Sequence, residues 1–147
     1  MFKPLFDISA TLAPAVTLGP AAAGERRMIA ITGGRVTGRV EAEILPGGAD
    51  WQVVRPDGVA DIDARYILRT RDGATVEVWS RGLRHGTPEA IRKLIAGEPV
   101  DPSQYYFRTA LRFESAAPSL QWLTRVLAIG LGERLPNAVL IRVFEVL

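Results

Sequence analysis

Apolar and polar side chains alternate with a period of two along most of the chain. This alternation is typical of β-strands with one buried face, and turn residues recur at the short intervals found in all-β sandwiches and barrels. We predict a closed antiparallel β-barrel, because closure removes the exposed edges that a long meander would leave. Gly33-Gly34 is expected to break the alternation as a tight turn or a bulge. The predicted strands cover residues 2–12, a short stretch flanked by Pro14 and Leu18, and residues 27–31, 35–44, 50–55, 60–70, 75–83, 105–114, 126–131 and 138–146.

One segment departs from the alternation and predicts the only sizeable helix, near residues 88–96. Thr87 is a preferred N-cap residue, and Pro88 is well accepted at the first helical position. Apolar residues then recur at helical spacing from Ile91 to Ile95, and Gly97 ends the run. Because the apolar stripe is narrow, we expect this helix to lie on the barrel as a lid or plug and not within its core.

The segment from Gly47 to Gly73 carries the densest set of charged and aromatic side chains in the chain. Turn signals at Gly47-Gly48, Asp57-Gly58 and Asp72-Gly73 divide it into a β-meander that we expect to line one side of the barrel. Polar and flat aromatic groups converge along this meander, so a small-molecule site would lie there.

The turn at Asp72-Gly73 sets the expected register of the central hairpin, because Asp-Gly is a preferred two-residue loop. With these two residues in the loop, Asp63 and Arg65 share one face, and Tyr66 and Trp79 share the other. At most one of these pairs would then line the lumen, and a one-residue slip would exchange the faces. Both faces mix charged and apolar side chains, which indicates a polar lumen, an outer wall buried against another subunit, or both.

Composition and charge narrow the class of protein. The 147 residues are the size of one domain, so we expect residues 1–147 to form a single barrel domain. The absence of cysteine removes disulfides and thiolate chemistry and, with no signal-peptide pattern at the amino end, fits a cytoplasmic protein. The formal charge is only +2 and the basic residues are scattered, so we expect no nucleic-acid partner. No apolar run reaches about 18 residues, so we expect no membrane partner.

Three charged residues of the meander are candidate catalytic groups: Asp63, Arg65 and Asp50. Asp63 and Arg65 lie two residues apart on one strand face, where in a lumen Arg65 would bind a substrate carboxylate or enolate. Asp63 would hold Arg65 or act as a base with a raised pKa. A structural salt bridge near the barrel rim is the other interpretation. Asp50 follows a double glycine, so it is either an acid or base at the mouth or a residue that caps the turn.

Aromatic rings and two arginines are candidate ligand-binding groups. Trp51, Tyr66, Trp79 and Trp122 would form an aromatic pocket suited to a flat or apolar ligand. Arg39 and Arg108 lie within alternating strands, from which each would reach into a cavity. The alternative interpretation is that the aromatic rings pack in the core and the arginines lie on solvated faces.

Neither a metal nor a cofactor is expected. His85 is the only histidine, so a metal site would have to be built from one imidazole and carboxylates. No Gly-x-Ser-x-Gly motif supplies a nucleophile for His85 to activate. The glycines at Gly33-Gly34 and Gly130–Gly132 lack the strand-to-helix context of a phosphate-binding loop.

Short motifs are distributed along the chain: Gly33-Gly34, Leu45–Trp51, Asp57-Gly58, Asp63–Tyr66, Thr70–Gly73 and Trp122-Leu123. Together they resemble the DUF3237 (UPF0311) family of bacterial and fungal proteins. The resemblance spans nearly the whole sequence, and the combination is more specific than any single motif. It implies a single-domain β-barrel, similar in outline to allene oxide cyclase-like or calycin-like barrels, and it implies no agreed activity.

Two functions agree with these patterns. The first is a small-molecule barrel, either a carrier or a cofactor-independent isomerase, cyclase or lyase, for an apolar or aromatic ligand that bears an anionic group. The second is a structural or interaction protein that self-associates, because residues 138–147 are apolar on both faces of one strand. Both agree with a homo-oligomer, a dimer or higher, and the sequence leaves open whether the protein is an enzyme.

Overall fold

The computed structural model describes residues 1–147, and its strands form one antiparallel sheet that closes into a barrel. Eight strands form the ring, in which β3 pairs with β1 on one side and with β5 on the other, and the predicted closed barrel is confirmed. Two strands are additional: β2 extends the sheet beside β3, and the short β4 lies between β3 and β6. In chain order the strands are β1 (Phe2–Leu12), β2 (Val16–Ala21), β3 (Gly24–Gly38), β4 (Ala42–Ile44), β5 (Gly48–Val54), β6 (Ala60–Thr70), β7 (Thr75–Gly86), β8 (Tyr105–Glu114), β9 (Ala128–Leu135) and β10 (Ala138–Val146).

Alternate residues of the eight ring strands face the inside of the barrel, as the period-two pattern predicts. Along β6 every second side chain from Ala60 to Leu68 is buried, and along β7 buried side chains recur at the same spacing from Val76 to Arg84. Large apolar side chains fill one half of this interior. The other half carries the polar side chains, so the barrel has a packed apolar core at one end and a polar interior at the other.

The two ends of the barrel are built differently. At the closed end, 3₁₀ turns at Pro118–Leu120 and Leu123–Arg125 add Leu120 and Leu123 to the main apolar core. At the opposite end, the mouth, lie a helix and the connections at residues 13–15 and 136–137.

Helix α1 (Pro88–Ile95) confirms the predicted helix and its capping. Thr87 Oγ1 accepts a hydrogen bond from the backbone N–H of Ala90 at 3.1 Å, which stabilises the first turn. Leu94 packs against a small buried apolar cluster inside the mouth, so the helix lies over this end of the barrel. None of the helices combines the length and the apolar character needed to cross a membrane.

The loop of the central hairpin holds three residues, Arg71–Gly73, and the predicted two-residue loop is wrong. The backbone N–H of Gly73 donates to the carbonyl of Thr70 at 3.0 Å. Gly73 has a φ of +89°, as expected for the last residue of a three-residue loop that begins with a type I turn. The extra loop residue moves the pairing of β6 with β7 by one position, so Arg65 lies opposite Trp79.

The corrected register separates an inner from an outer face. Tyr66 lies inside the barrel and Trp79 outside, beside Arg65, so the prediction that the two aromatic residues share a face is wrong. Asp63 and Arg65 do share a face, and it is the outer one. In the observed register, buried positions of β6 lie opposite buried positions of β7, so the inner face is mostly apolar up to Arg84, whereas the outer face mixes charged residues with Ile67 and Leu83.

The predicted strand at residues 35–44 is two strands, and the one-strand interpretation is wrong. β3 continues through Gly33-Gly34, and its register against β1 shifts at Thr32, directly before Gly33, so a bulge is present next to the glycines and the tight turn is wrong. The chain reverses at residues 39–41, and β4 pairs back onto the end of β3. The predicted apolar positions of this segment are buried: Val36 on β3, Val40 in the reversal, and Ala42 and Ile44 on β4.

Candidate functional site

Two adjoining cavities lie in the mouth half of the barrel. The inner one, the lumen cavity, has a volume of about 50 Å³ and lies among the strands. The outer one, the mouth cavity, has a volume of about 240 Å³ and lies between helix α1 and the connections at residues 13–15 and 136–137. Both are lined by Ile29, Arg84 and Arg134, so the mouth cavity leads to the lumen cavity.

Small side chains at inward positions create the lumen cavity. On β6 the inward positions change from Leu68 at the closed end to Ala64, and on β7 from Val78 to Ser80. Ala10 is the corresponding small residue on β1. These positions leave volume that larger side chains would fill in an ordinary close-packed interior. The polar groups that line it are Asp50, Gln52, Tyr66, Ser80, Arg84, Thr109 and Arg134.

Arg84 is a buried cation without an anionic partner. It continues the inward positions of β7, and only 5% of it is exposed. It makes no salt bridge, and its buried Nε has no hydrogen-bond acceptor. The Phe107 ring lies 5.9 Å from the guanidinium carbon. Burial and the neighbouring cations Arg27 and Arg134 lower the pKa of Arg84 to about 10, so the side chain is still charged at neutral pH.

Asp50 is the only carboxylate that lines either cavity. Its Oδ1 accepts a hydrogen bond from the backbone N–H of Asp63 at 2.9 Å, and its Oδ2 accepts one from Nε2 of Gln52 at 2.7 Å. Oε1 of Gln52 accepts in turn from Nη2 of Arg27 at 2.6 Å. Burial raises the pKa of Asp50, and this effect exceeds the opposing influence of its hydrogen bonds and of Arg84.

Two buried hydroxyl groups of the lumen lining have no hydrogen-bond partner: Tyr66 Oη and Thr109 Oγ1. Burial raises the pKa of Tyr66, so its hydroxyl is a proton donor throughout the neutral range. Most buried polar groups in folded proteins do have a partner. Tyr66 Oη and Thr109 Oγ1 are exceptions to this rule, and they belong to residues that line the same cavity as the unpartnered Nε of Arg84.

Arg134 is held at the mouth by backbone groups. Its Nη1 donates to the carbonyl of Ala138 at 3.0 Å, and its own backbone N–H donates to the hydroxyl of Tyr105 at 3.0 Å. Burial and the charge of Arg27 lower the pKa of Arg134. The cavities are thus lined by the guanidinium groups of Arg27, Arg84 and Arg134 against a single carboxylate, which makes the site electropositive.

Asp50 and Tyr66 are the two sequence-predicted site residues that the structure brings into the lumen. Their inward positions follow from the strand alternation on β5 and β6. The remaining predicted residues lie outside both cavities. Trp51, for example, lies on the outer face of β5 and is 51% exposed.

Asp63 and Arg65 lie on the outer face of β6, where each has a different partner. Oδ1 of Asp63 lies 3.6 Å from Nε of Arg81. Nη2 of Arg65 donates to Oε2 of Glu77 at 2.6 Å, and its guanidinium carbon lies 5.0 Å from the Trp79 ring centroid. Asp63 and Arg65 therefore do not pair with each other, and each lies in a separate cross-strand ion pair on the outer face.

Arg39 and Trp122 lie at the closed end, and the Arg39 guanidinium carbon is 4.8 Å from the Trp122 ring centroid. Nη1 of Arg39 also donates to Oε2 of Glu145 at 2.7 Å. Arg108 lies on the outer face of β8, with its guanidinium carbon 5.3 Å from the Tyr106 ring centroid. The barrel length separates Arg39 and Trp122 from the mouth.

Arg84, Arg27 and Gln52 are site residues that the sequence alone did not indicate. A signal for Arg84 was present, because it lies at even spacing from Val76 and Val78 on the apolar side of its strand. A charged residue at the end of an apolar stripe is a candidate for a buried role. Arg27 and Gln52 join the site only through the pairing of β3 with β5, which no local pattern shows.

Comparison with known proteins shows which family the chain belongs to. A family model described as "Protein of unknown function (DUF3237)" matches residues 1–146. The chain belongs to the DUF3237 family. A UPF0311 protein of Rhodopseudomonas palustris is 42% identical over 146 residues, which cover 99% of this chain and 95% of that relative. The resemblance predicted from the short motifs is confirmed.

Solved structures of similar proteins have the same fold. The crystal structure of a Rhodopseudomonas palustris protein, 42% identical, has a TM-score of 0.93 and covers 100% of this chain and 97% of its own. A protein of Acinetobacter baumannii described as β-barrel-like is 41% identical, with a TM-score of 0.86 and coverage of 99% and 94%. A barrel is therefore the fold that this DUF3237 protein shares with its relatives.

A more distant structure shares the fold alone. It is described as an enzyme from Penicillium herquei, and it is 20% identical with a TM-score of 0.71, covering 97% of this chain and 93% of its own. At that identity the likeness carries no statement about activity.

Proposed function

We propose that this DUF3237 protein binds a small organic anion with an apolar or aromatic body in the mouth half of its barrel. The observation that carries the proposal is Arg84, a buried guanidinium that no protein oxygen neutralises. A buried charge without a partner is unfavourable, and a carboxylate or enolate ligand would supply the missing acceptor.

The charge balance of the cavities favours an anion over a neutral ligand. Arg27 and Arg134 add positive potential around Arg84, and Asp50 offsets only part of it. Electrostatic interactions are stronger in such a partly desolvated site than at the surface. The anionic group would therefore lie deep, next to Arg84.

The apolar body of the ligand would occupy the mouth cavity. Leu94 and Ile95 of helix α1 line one side of it, and Pro14 and Ile29 line another. With the lumen cavity, the space lies near the lower end of the range of about 300–1,000 Å³ for small-molecule sites. The ligand would be small, on the scale of one aromatic ring with a short acidic side chain.

The same site would serve a carrier or a cofactor-independent isomerase, cyclase or lyase. Asp50 supports the catalytic version, because a buried carboxylate beside a bound ligand is suited to proton transfer. The description of the Penicillium herquei fold neighbour as an enzyme agrees with that version.

Binding is tested with pairs of aromatic acids and their neutral amides in thermal unfolding and calorimetry. We expect benzoate, phenylacetate and phenylpyruvate to raise the midpoint of thermal unfolding, and the amides to have no effect, because only the acids supply a charge to Arg84. Equal stabilisation by acids and amides, or no stabilisation by any acid at millimolar concentration, would contradict the proposal. The Arg65→Met variant is a control for the loss of a positive charge elsewhere. It should be stabilised by the acids as wild type is, because Arg65 is an exposed arginine outside both cavities.

Self-association is the second candidate function, and it is supported by the outer surface. Trp51 and Leu83 are 51% and 37% exposed and line one groove on the outer face of β5, β6 and β7. The outward residues Leu140 and Phe144 of β10 are already half-buried within the chain, so they present less apolar surface than their sequence indicates. An exposed tryptophan beside other apolar groups is typical of protein interfaces.

We expect the protein to sediment as a dimer or a higher oligomer at micromolar concentration, and Trp51→Ser to shift it toward the monomer. The Trp122→Ser variant is the control, because Trp122 lies at the closed end. A wild-type protein that sediments as a monomer would remove this candidate and leave the anion site unaffected.

A further inference from the structure

We propose that the lumen catalyses keto–enol proton transfer in a bound 2-oxo acid, with Asp50 moving the proton and Arg84 binding the oxygens. This inference rests on the proposed anion binding and adds the class of substrate and the role of each side chain. It is supported by one carboxylate and three unpartnered polar atoms that line the same cavity.

Asp50 is positioned as a base and not as the partner of an arginine. Its two oxygens are oriented by the backbone N–H of Asp63 and by the side chain of Gln52, at 2.9 and 2.7 Å. It makes no salt bridge with Arg84, although both line the lumen cavity. Each carboxylate oxygen has further lone pairs, and these are available to a ligand in the cavity.

The groups that face Asp50 come from several strands. Arg84 on β7 and Arg134 on β9 favour the ionised carboxylate, as does Arg27 on β3 through Gln52. Burial is the largest influence and raises the pKa of Asp50, and the carboxylate charge of Asp63 on β6 adds to it, although the backbone N–H of Asp63 acts in the opposite direction. A base with a raised pKa holds a proton more readily between its removal and its return, which is the requirement for a proton shuttle.

The unpartnered donors form the complementary half of the site. Arg84 Nε, Tyr66 Oη and Thr109 Oγ1 are buried, lack acceptors and line the lumen cavity. A developing enolate oxygen is the acceptor that such donors stabilise, and fixed donors require little reorganisation during the reaction. The burial of Tyr66 keeps its hydroxyl protonated, so it donates and does not compete as an anion.

The step balances without a cofactor. The Asp50 carboxylate removes one proton from C3 of the 2-oxo acid, and the C–H electron pair becomes the C2=C3 double bond. The carbonyl π pair moves to the C2 oxygen, which Arg84 holds as an enolate. Protonated Asp50 then gives that proton to the oxygen and forms the enol. The enol O–H exchanges with solvent, and the reverse sequence restores the ketone with a solvent hydrogen at C3. No electron is gained or lost and no co-reactant is consumed.

A 2-oxo acid fits the lining better than a simple carboxylic acid. Its carboxylate and adjacent carbonyl present acceptors side by side, which suits a guanidinium fork and nearby hydroxyl donors. Its C3 substituent would extend toward the mouth cavity, where Leu94 and Ile95 provide an apolar wall. An aromatic 2-oxo acid therefore uses both cavities.

The probe is phenylpyruvate in deuterated buffer, with exchange of its C3 protons followed by proton NMR and binding followed by calorimetry. Wild-type protein is expected to accelerate the exchange. Asp50→Asn is expected to bind phenylpyruvate at least as tightly, because a like charge is removed, and to lose about 100-fold or more of the catalysed exchange rate. Asp7→Asn, an exposed carboxylate on the outer face of β1, is the matched control and should match wild type in both measurements.

The two failures are distinguishable. Wild-type binding without accelerated exchange, or full exchange by Asp50→Asn, overturns proton transfer by Asp50 and leaves the anion site standing. Absence of wild-type binding overturns the proposed site and this inference together.

The pH dependence of the wild-type exchange rate gives a test without any variant. The catalysed rate should rise with pH through a pKa above the ordinary aspartate value and then level off, because only ionised Asp50 removes a proton. A rate that falls over this range overturns the role of Asp50.

Discussion

Replacing Arg84 with methionine is expected to raise the free energy of unfolding of the unliganded protein by about 1–3 kcal/mol. The wild-type guanidinium is buried, makes no salt bridge and has an unpartnered Nε. Burial lowers its pKa to about 10, which shows that the folded environment disfavours the charge. Methionine has a similar length and no charge, so it fills the space without the desolvation penalty.

The same substitution is expected to weaken binding of aromatic acids by about tenfold or more, because a charged hydrogen-bond donor is lost. Opposite effects on stability and binding are the signature of a residue kept for function at the expense of the fold. Urea unfolding followed by tryptophan fluorescence measures the first effect, and calorimetry measures the second. A structural role for Arg84 would give the reverse result, with Arg84→Met less stable than wild type.

Arg65→Met is the control for both measurements. Arg65 is an exposed arginine whose only carboxylate partner is Glu77 across the outer face of the hairpin. Exposed ion pairs contribute little, so its loss should change the free energy of unfolding by about 0.5 kcal/mol or less. Binding of aromatic acids should be unchanged. A matched effect of Arg65→Met and Arg84→Met would show that arginine number, and not the position of Arg84, controls stability.

The barrel, the helix and part of the site could be predicted from the sequence because they depend on local patterns. Alternation alone shows which residues of a strand share a face, and it separated Tyr66 from Asp63 and Arg65 on β6 without showing which of the two faces is buried. Capping chemistry at Thr87 gave the start of helix α1. Asp50 was identified as a candidate at the mouth because a carboxylate next to a double glycine lies at a chain reversal.

The register of the central hairpin could not be obtained from its turn residues. Asp72-Gly73 suits a two-residue loop and equally the end of a three-residue loop, because glycine at positive φ is required in both. The arrangement is decided by Thr70, whose Oγ1 accepts from the backbone N–H of Ala74 at 3.1 Å. A better criterion was available in the sequence: only the three-residue loop places the apolar stripe of β6 opposite that of β7.

The cationic part of the site depends on closure of the barrel, which no single segment encodes. Arg27, Arg84 and Arg134 come from β3, β7 and β9, and of the three only Arg84 has a local signal, its position on the apolar stripe of its strand. Their convergence follows from which strands meet around the ring. In the closed barrel, Arg39 and Trp122 lie at the end opposite the mouth, although arginine and tryptophan are residue types that often bind ligands.

Gly82→Ala is expected to destabilise the protein by about 3 kcal/mol or more, because the added carbon would overlap backbone atoms. Gly82 lies on β7 between Ile62 and Thr109 of the neighbouring strands. A Cβ there would lie 2.0 Å from the carbonyl oxygen of Arg108 and 2.7 Å from the Cα of Thr109. No side-chain rotation relieves this overlap, so β7 and β8 would have to separate.

Two other strand glycines give a graded comparison for Gly82→Ala. At Gly132 a Cβ would lie 2.6 Å from the Phe107 ring, which is a side chain that can move, so Gly132→Ala should be destabilising to a smaller degree. At Gly33 the nearest atom is 3.5 Å away, an ordinary contact, so Gly33→Ala should be neutral or slightly stabilising. Urea unfolding of the three variants should rank them in this order, and a Gly82→Ala variant as stable as Gly33→Ala would contradict the close approach of β7 to β8.

The close approach at Gly82 also bears on the site, because Arg84 is the next inward position on the same strand. Separation of β7 from β8 would move Arg84 relative to Thr109 and Phe107, which line the lumen cavity with it. Any folded fraction of Gly82→Ala should therefore bind aromatic acids less tightly than wild type, whereas Gly33→Ala should bind them equally well. Calorimetry on the two variants at a temperature where both are folded separates a loss of site geometry from a loss of stability.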